Sequence, residues 1–325
     1  MLSFSDCQSI IELRIAQLPA YKKQPSQLYE PIQYILSLGG KRIRPVATLL
    51  ACNLFSDDVS KAVNPALALE VFHNFTLLHD DIMDNAPVRR SQPTVHEKWN
   101  DNVAILSGDA MQILAYELMC QAETNHLKAL LALFNQTALE VCEGQQFDMN
   151  FATRTDVSLK EYMRMIELKT SVLLAACMKS GAICGNATDA DADKMYAFGL
   201  NLGLAFQIQD DYLDVYADQS VFGKRTGGDI SENKKTFLLI KALELAHNER
   251  GETLSKALNN QFNSESEKIA EVTRVYNELC IPEITRQHIT HYSDKAFACL
   301  ESISVEKSKK EALHAMATQL MNRQK

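Results

Sequence analysis

Two long apolar stretches of this chain each run directly into an acidic triplet, Asp80-Asp81-Ile82-Met83-Asp84 and Asp210-Asp211-Tyr212-Leu213-Asp214. Leu67, Val71, Phe75, Leu78 and Ile82 recur at helical spacing, while Leu69, Phe72 and Leu77 cover other sides, which predicts a helix buried nearly all round. Gly199 to Asp214 reads likewise, with Leu200, Leu202, Leu204, Phe206 and Ile208 leading into the second triplet. A turn of about 100° per residue brings the first and last aspartates of each triplet to within about 40°, with the middle one beside them, so each forms a three-carboxylate claw. Taken singly, a short Asp cluster at a helix end is as often solvated surface. Here the apolar runs put the carboxylates where they repel one another and lose hydration unless a cation compensates them. Carboxylate oxygens are hard ligands suited to magnesium, whose shell is completed by water and a substrate's phosphate oxygens. Two claws facing one cavity would hold a diphosphate through metal ions.

Nearly every other segment also reads as helix. Ile105 to Cys120, Leu127 to Val141 and Met163 to Cys177 carry helical apolar spacing, whereas alternating strand patterns and hairpin turn pairs are scarce. No linker, low-complexity run or short-period repeat divides the 325 residues, which favours one domain over 1–325. One long irregular stretch, Asp218 to Asn233, follows the second triplet and reads as a mobile lid. The net charge of −8 argues against nucleic acid as a partner, and no basic amphipathic helix suggests a membrane surface. No stretch is apolar enough to span a bilayer and the N-terminus lacks the features of a secretory signal; with scattered, unpaired-looking cysteines this predicts a cytoplasmic protein whose thiols are reduced and mostly packed.

Positive charge is local. Gly39-Gly40-Lys41-Arg42-Ile43-Arg44-Pro45 precedes an apolar helix, with Pro45 suited to its first turn. Cations at a helix start oppose the helix dipole, and an external anion resolves that conflict: glycine lets the backbone approach, Arg offers a planar fork and Lys a point charge for phosphate. A basic loop alone is commonly just solvated. Arg89-Arg90 stands just beyond Asp84, close enough to reach groups held by that claw. Lys169-Thr170 interrupts an apolar helical face between Ile166 and Leu173, so the lysine either snorkels outward or meets an anion. Gln207 lies on the face of Asp211 and Asp214, and His73 on that of Asp80, where a hydrogen-bonded core histidine is the plainer alternative. The lid supplies Lys224 and Lys234, with Asp229 between them.

From Gly39 to about Phe237 these motifs, in this order, resemble the trans-isoprenyl diphosphate synthases: Gly-Gly-Lys-Arg-x-Arg-Pro, Leu-His-Asp-Asp-x-x-Asp, Arg-Arg, Lys-Thr, Phe-Gln-x-x-Asp-Asp-x-x-Asp, then Gly-Lys followed by Asp and Asn-Lys. Ser91 stands where the family usually has glycine, and Asn233-Lys234-Lys235-Thr236 varies its usual Gly-Lys-x-Thr. The resemblance implies an all-α, single-domain isoprenoid synthase helical bundle around a central apolar cavity. It implies that Asp80, Asp81, Asp84, Asp210, Asp211 and Asp214 hold Mg²⁺ ions bridging an allylic diphosphate, with Asp81 and Asp211 acting partly through their neighbours. Arg89, Lys169, Gln207, Lys224 and Lys234 would assist, and Thr170 would stand near the developing cation. Gly40, Lys41, Arg44, His73 and Arg90 would bind metal-free isopentenyl diphosphate. The implied product is a short-chain prenyl diphosphate, farnesyl or geranylgeranyl, made by a homodimer. Phe75 and Thr76 occupy the family's floor positions for chain length; helical phase places Thr76 nearly beneath Asp80 and Phe75 about 140° away, so a single aromatic narrows the tunnel. The alternatives are a class I terpene cyclase, disfavoured by the full second triplet and the Gly40-Lys41-Arg42 segment, and a non-catalytic regulatory subunit, disfavoured because both triplets are complete.

Overall fold

The computed structural model describes residues 2–217 and 226–322. Helices α1 (Phe4–Ala16), α2 (Ser26–Ser37), α3 (Ile43–Phe55) and α4 (Ser60–Met83) are followed by a hairpin of β1 (Val88–Arg89) and β2 (Gln92–Pro93) and the single turn α5 (Val95–Lys98). Then come α6 (Asp101–Met119), α7 (Thr124–Ala152) and α8 (Leu159–Ile166), a π-helical turn Glu167–Ser171, α9 (Val172–Cys184) and α10 (Asp189–Tyr216). The remainder comprises α11 (Gly228–Ser231), α12 (Phe237–Leu245), α13 (Glu249–Leu258), α14 (Glu265–Glu278), α15 (Ile281–Glu301) and α16 (Lys307–Met321). The all-α reading holds, and β1 and β2 are the only strands among the described residues.

Several helices start where the sequence supplies a side-chain cap. Ser3 with Asp6 and Ser158 with Glu161 form capping boxes at α1 and α8, Thr236 accepts from Leu239 N at α12, and Ser264 accepts from Glu267 N at α14. Arg42 stands at the start of α3 in the left-handed conformation, φ 48°, so Pro45 falls within that helix's first turn. The hairpin was invisible to apolar alternation because its strands have two residues each. Pairing of Arg89 with Gln92 leaves Arg90 and Ser91 as a two-residue loop, both at positive φ (52° and 61°), which is the I′ geometry that matches strand twist.

Chain contacts group the residues into two units. The first comprises Met1–Gln136, Leu173–Tyr196 and Glu301–Leu313. Here α4 packs most extensively on α6 and then on α3, and its buried residues surround its axis, from Ala62, Leu67 and Leu69 to Val71, Phe72 and Leu78. Gly181 of α9 lies so close to α3 that a Cβ would stand 2.1 Å from Thr48 O. The second unit comprises Thr137–Val172, Ala197–Leu300 and His314–Lys325. Its core joins Tyr162 and Ile166 of α8, Leu204 and Ile208 of α10, Phe237 of α12 and Tyr276 of α14.

Three expectations need revision. Met163 to Cys177 is not one continuous α-helix but is interrupted by the π turn, and α11 lies inside the stretch read as wholly irregular. None of the eight cysteines is in a disulfide, but only Cys7, Cys52, Cys177 and Cys184 are buried, while Cys120, Cys142 and Cys280 are exposed. Among the described residues no helix is long and apolar enough to cross a membrane.

Candidate active site

In the first unit, α4 carries Asp80 and Asp81 on its last turn and ends at Asp84, whose backbone N–H donates to Asp80 O. Asp81 is 2% exposed and turned inward, where Arg89 Nε lies 2.8 Å from both its carboxylate oxygens and Nη2 lies 2.7 Å from Oδ1. Both of its oxygens are thus engaged by one guanidinium, while Asp80 is half-buried and Asp84 exposed. The middle aspartate sits about 100° from the first, enough to send it to the protein side of the helix.

The same unit gathers cations. Arg44 Nη1 lies 3.1 Å from His73 Nε2. A guanidinium only donates, so Nε2 is the accepting nitrogen of a neutral ring. Burial, then Arg44, Arg90, Arg89 and Arg42, hold His73 well below the usual histidine value. Arg44 Nε is buried without a partner. The hairpin turns Arg90 back so that Nη1 donates to Gly39 O, and a Cβ on Gly40, at φ 125°, would meet Arg90 Cζ at 2.9 Å. Glycine is required there by both conformation and space. Lys41 is exposed. Arg42 faces the interior instead, bonding Glu12, Glu70 and Leu36 O. Of the cations at the start of α3, one is therefore structural.

Phe75 is 8% exposed, its ring 4.7 Å from that of His79 and 5.6 Å from Phe72. Thr76 is partly exposed and donates to His73 O at 2.8 Å.

In the second unit the π turn presents Lys169 and Thr170. Lys169 Nζ pairs with Asp148 of α7 at 2.5 Å, so the lysine on the apolar face meets an anion rather than snorkelling. Thr170 Oγ1 donates to Gln207 Oε1 at 3.2 Å, and Gln207 Nε2 lies 3.4 Å from Asp211 Oδ1. These residues, with Lys234 and Tyr162, line one cavity. Asp211 is 5% exposed; its Oδ2 accepts from Tyr162 OH at 2.5 Å and Phe237 N at 2.8 Å. Burial, then Asp229, push Asp211 up to about 7. Asp214 accepts from Asp229 N at 3.0 Å and is pushed up to about 6, again by burial and then Asp229. Lys234 stands 3.6 Å from Asp229. Burial works against its ammonium, but Asp229, Asp148 and Asp211 outweigh that and hold it above the ordinary lysine value. Asp210 is exposed, and Lys224 lies outside the described residues.

In both triplets the middle carboxylate serves neighbouring donors, Asp81 through Arg89 and Asp211 through Tyr162 and Phe237 N, beside the outer pairs Asp80 with Asp84 and Asp210 with Asp214. Among the described residues no three His, Cys, Asp or Glu side chains converge as a ready-made metal cage. The residues nonetheless fit a magnesium ion. Burial and like charge raise Asp211 and Asp214, a cluster whose remedy is a cation, and magnesium takes its remaining ligands from water and phosphate rather than from a closed protein cage.

Sequence reading missed Asp148 and Tyr162. Gly144, alone inside the long α7, was the available signal for Asp148: a Cβ there would lie 2.2 Å from Lys169 N, so α7 and the π turn approach backbone to backbone. Tyr162 carries no such mark, being one apolar-face residue among several.

Residues 25–279 match the Polyprenyl synthetase family. The geranylgeranyl diphosphate synthase of Methanosarcina mazei is 41% identical over 223 residues, spanning 68% of this chain and 69% of that protein. A crystal structure of a geranylgeranyl pyrophosphate synthase superposes with a TM-score of 0.94 at 41% identity, covering 99% of each chain. The polyprenyl synthase of Caulobacter crescentus, complexed with calcium and isoprenyl diphosphate, superposes with a TM-score of 0.86 at 27% identity over 99% of this chain and 95% of that one. The acidic helix ends, the cation cluster around His73 and this likeness along nearly the whole length converge on one assignment: the chain belongs to the polyprenyl synthetase family of trans-isoprenyl diphosphate synthases.

Proposed function

We propose that this chain is a head-to-tail prenyltransferase that condenses isopentenyl diphosphate with an allylic diphosphate to give a short-chain product, farnesyl or geranylgeranyl diphosphate. The carrying observation is the opposite demand of two clusters: carboxylates around Asp214 that call for cations, and arginines around a neutral His73 that call for an anion. Asp80, Asp84, Asp210 and Asp214 would hold Mg²⁺, while Asp81 and Asp211 fix the helix ends through Arg89 and Tyr162. Bound magnesium would supply Lewis acidity to the departing pyrophosphate. Lys169, Lys234 and Arg89 add fixed positive charge where leaving-group charge grows. Gly40, Lys41, Arg44, His73 and Arg90 bind the second diphosphate, which keeps its bond. The double bond of isopentenyl diphosphate attacks the allylic cation, and the carbon beside the new tertiary cation then gives up a proton to the departed pyrophosphate, which leaves a new double bond. Thr170 and Gln207 orient oxygen dipoles toward that cation. Phe75, with Thr76 under Asp80, limits the growing chain.

The same reading takes 1–325 as one working domain, because each unit is assembled from separated stretches and neither is continuous. It acts in the cytoplasm as a homodimer. The test is purified protein with magnesium, labelled isopentenyl diphosphate and each of dimethylallyl, geranyl and farnesyl diphosphate, products being sized after dephosphorylation. Absence of product with every primer overturns the assignment.

A further inference from the structure

Lys234 and Asp229 are held by a segment with little stability of its own. Helix α11 has four residues, too few to persist without outside support. That support comes from α14. Lys268, 5% exposed, donates from Nζ to Ser231 O at 2.9 Å and to Asn260 Oδ1 at 2.9 Å. An ammonium at the C-terminal carbonyl of a helix also meets the favourable end of its dipole. Ser231 Oγ donates to the Glu265 carboxylate. Gly227, at φ 84°, rests against Ile269, where a Cβ would come within 2.8 Å of Cγ2.

Beyond α11 the chain reverses at Asn233, φ 57°. Glycine would adopt that conformation at no steric cost, but it would not provide the amide. Asn233 Nδ2 donates to Leu258 O at 3.2 Å and to Asn260 Oδ1 at 3.3 Å. Asn260 Oδ1 therefore receives both Lys268 and Asn233. Directly after the reversal, Lys234 N donates to Asp229 O at 2.9 Å, and Asp229 N in turn donates to Asp214 Oδ2 at 3.0 Å.

We propose that Asn233 and Lys268, joined through Asn260, are positioning residues that aim Lys234 and Asp229 at the metal-bound diphosphate. The proposal rests on the function put forward above. Asn233 takes the backbone shape a glycine would take and adds an anchor, so the lysine is presented from a fixed turn instead of a hinge. Pre-organisation of this kind is read in ligand affinity, because a fixed donor loses less freedom on binding.

The experiment compares wild type, Asn233→Gly, Lys268→Met, Lys268→Arg and the double variant N233G/K268M. Calorimetry gives the Kd of inorganic pyrophosphate with magnesium, steady-state kinetics the KM of each substrate, and thermal melting the Tm. Asn233→Gly and Lys268→Met are expected to weaken pyrophosphate and raise the allylic KM about five-fold or more, with the isopentenyl diphosphate KM within about two-fold of wild type. Lys268→Arg stays nearer wild type, and the double variant is no worse than the stronger single one, as expected of one connected device. A fall in Tm with Kd and both KM values unchanged, or equal rises in both KM values, overturns the proposal. If Lys268→Met does not fold, Asn233→Gly decides alone. Failure of wild type to make product refutes the function, whereas the pyrophosphate Kd still judges the anchor.

Discussion

Arg42 and Glu70 form an ion pair at 2.8 Å whose side chains are 1% and 3% exposed. The left-handed backbone of Arg42 turns its guanidinium inward, where it also bonds Glu12 of α1 and Leu36 O of α2. Asn74 donates to Glu70 Oε1 at 3.1 Å and so completes the acceptor's surroundings. One side chain thereby ties α1, α2 and α4 to the start of α3, between Lys41 and Arg44. Arg42→Ala is expected to cost about 3–5 kcal/mol, because it leaves a buried carboxylate unpaired. The double variant R42M/E70L should lose less, and denaturant melts of all three proteins check the order.

Loss of Asp80 should be felt in chemistry rather than folding. Asp80→Ala is expected to lower kcat by on the order of 10²-fold or more while the melting curve stays close to wild type. Chelation of divalent metal should abolish turnover in the same assay, and activity that survives both would defeat the metal mechanism.

Phe75→Ala opens space beside Phe72 and His79. Product sizing should show a shift to longer prenyl chains, with primer consumption retained. An unchanged product means that Phe75 is not the floor.

Asp211 and Asp214, raised to about 7 and about 6, make the metal-free fold sensitive to pH. Unfolded aspartates titrate near about 3.9, so over the interval above that value the folded chain keeps protons that the unfolded chain has released. The stability these groups contribute is therefore fully present below the unfolded value and is lost as pH rises through 6 and 7. His73, depressed instead, acts in the opposite sense and offsets part of this loss until its unfolded imidazole, titrating near about 6.5, has released its proton about one unit higher. Between about pH 6.5 and 8.5 the Tm of chelated protein should fall, Asp211→Asn should flatten that fall, and magnesium should restore more stability at the alkaline end.

Ser91 occupies φ 61° in the hairpin turn. Left-handed backbone costs a non-glycine residue roughly 1–2 kcal/mol, part of which glycine returns as unfolded-chain entropy. Ser91→Gly should therefore raise stability by about 0.5–1 kcal/mol in a denaturant melt, without changing either KM.

The helices were legible because burial all round α4 and α10 leaves a dense apolar record in the sequence, and because the aspartates follow it without interruption. Direction within the triplets was not. Spacing gives an angle about the helix axis but does not say which side holds a partner, and Arg89, Tyr162 and Phe237 N come from distant parts of the chain. The same limit explains Arg42, whose charge reads like that of Lys41 until its backbone φ of 48° is known. Lys169 lay between the two cases: its conflict with an apolar face was visible, and its partner Asp148 was betrayed only by Gly144.

Each unit is stitched from three separated stretches, and the first needs Glu301–Leu313 as well as the N-terminal helices. During synthesis, then, α1 to α4 must wait for residues made hundreds of positions later before their unit has all its parts. Such long-range closure slows folding and leaves apolar helices such as α4 uncovered on the ribosome, where a chaperone that shields them would raise the yield of active protein.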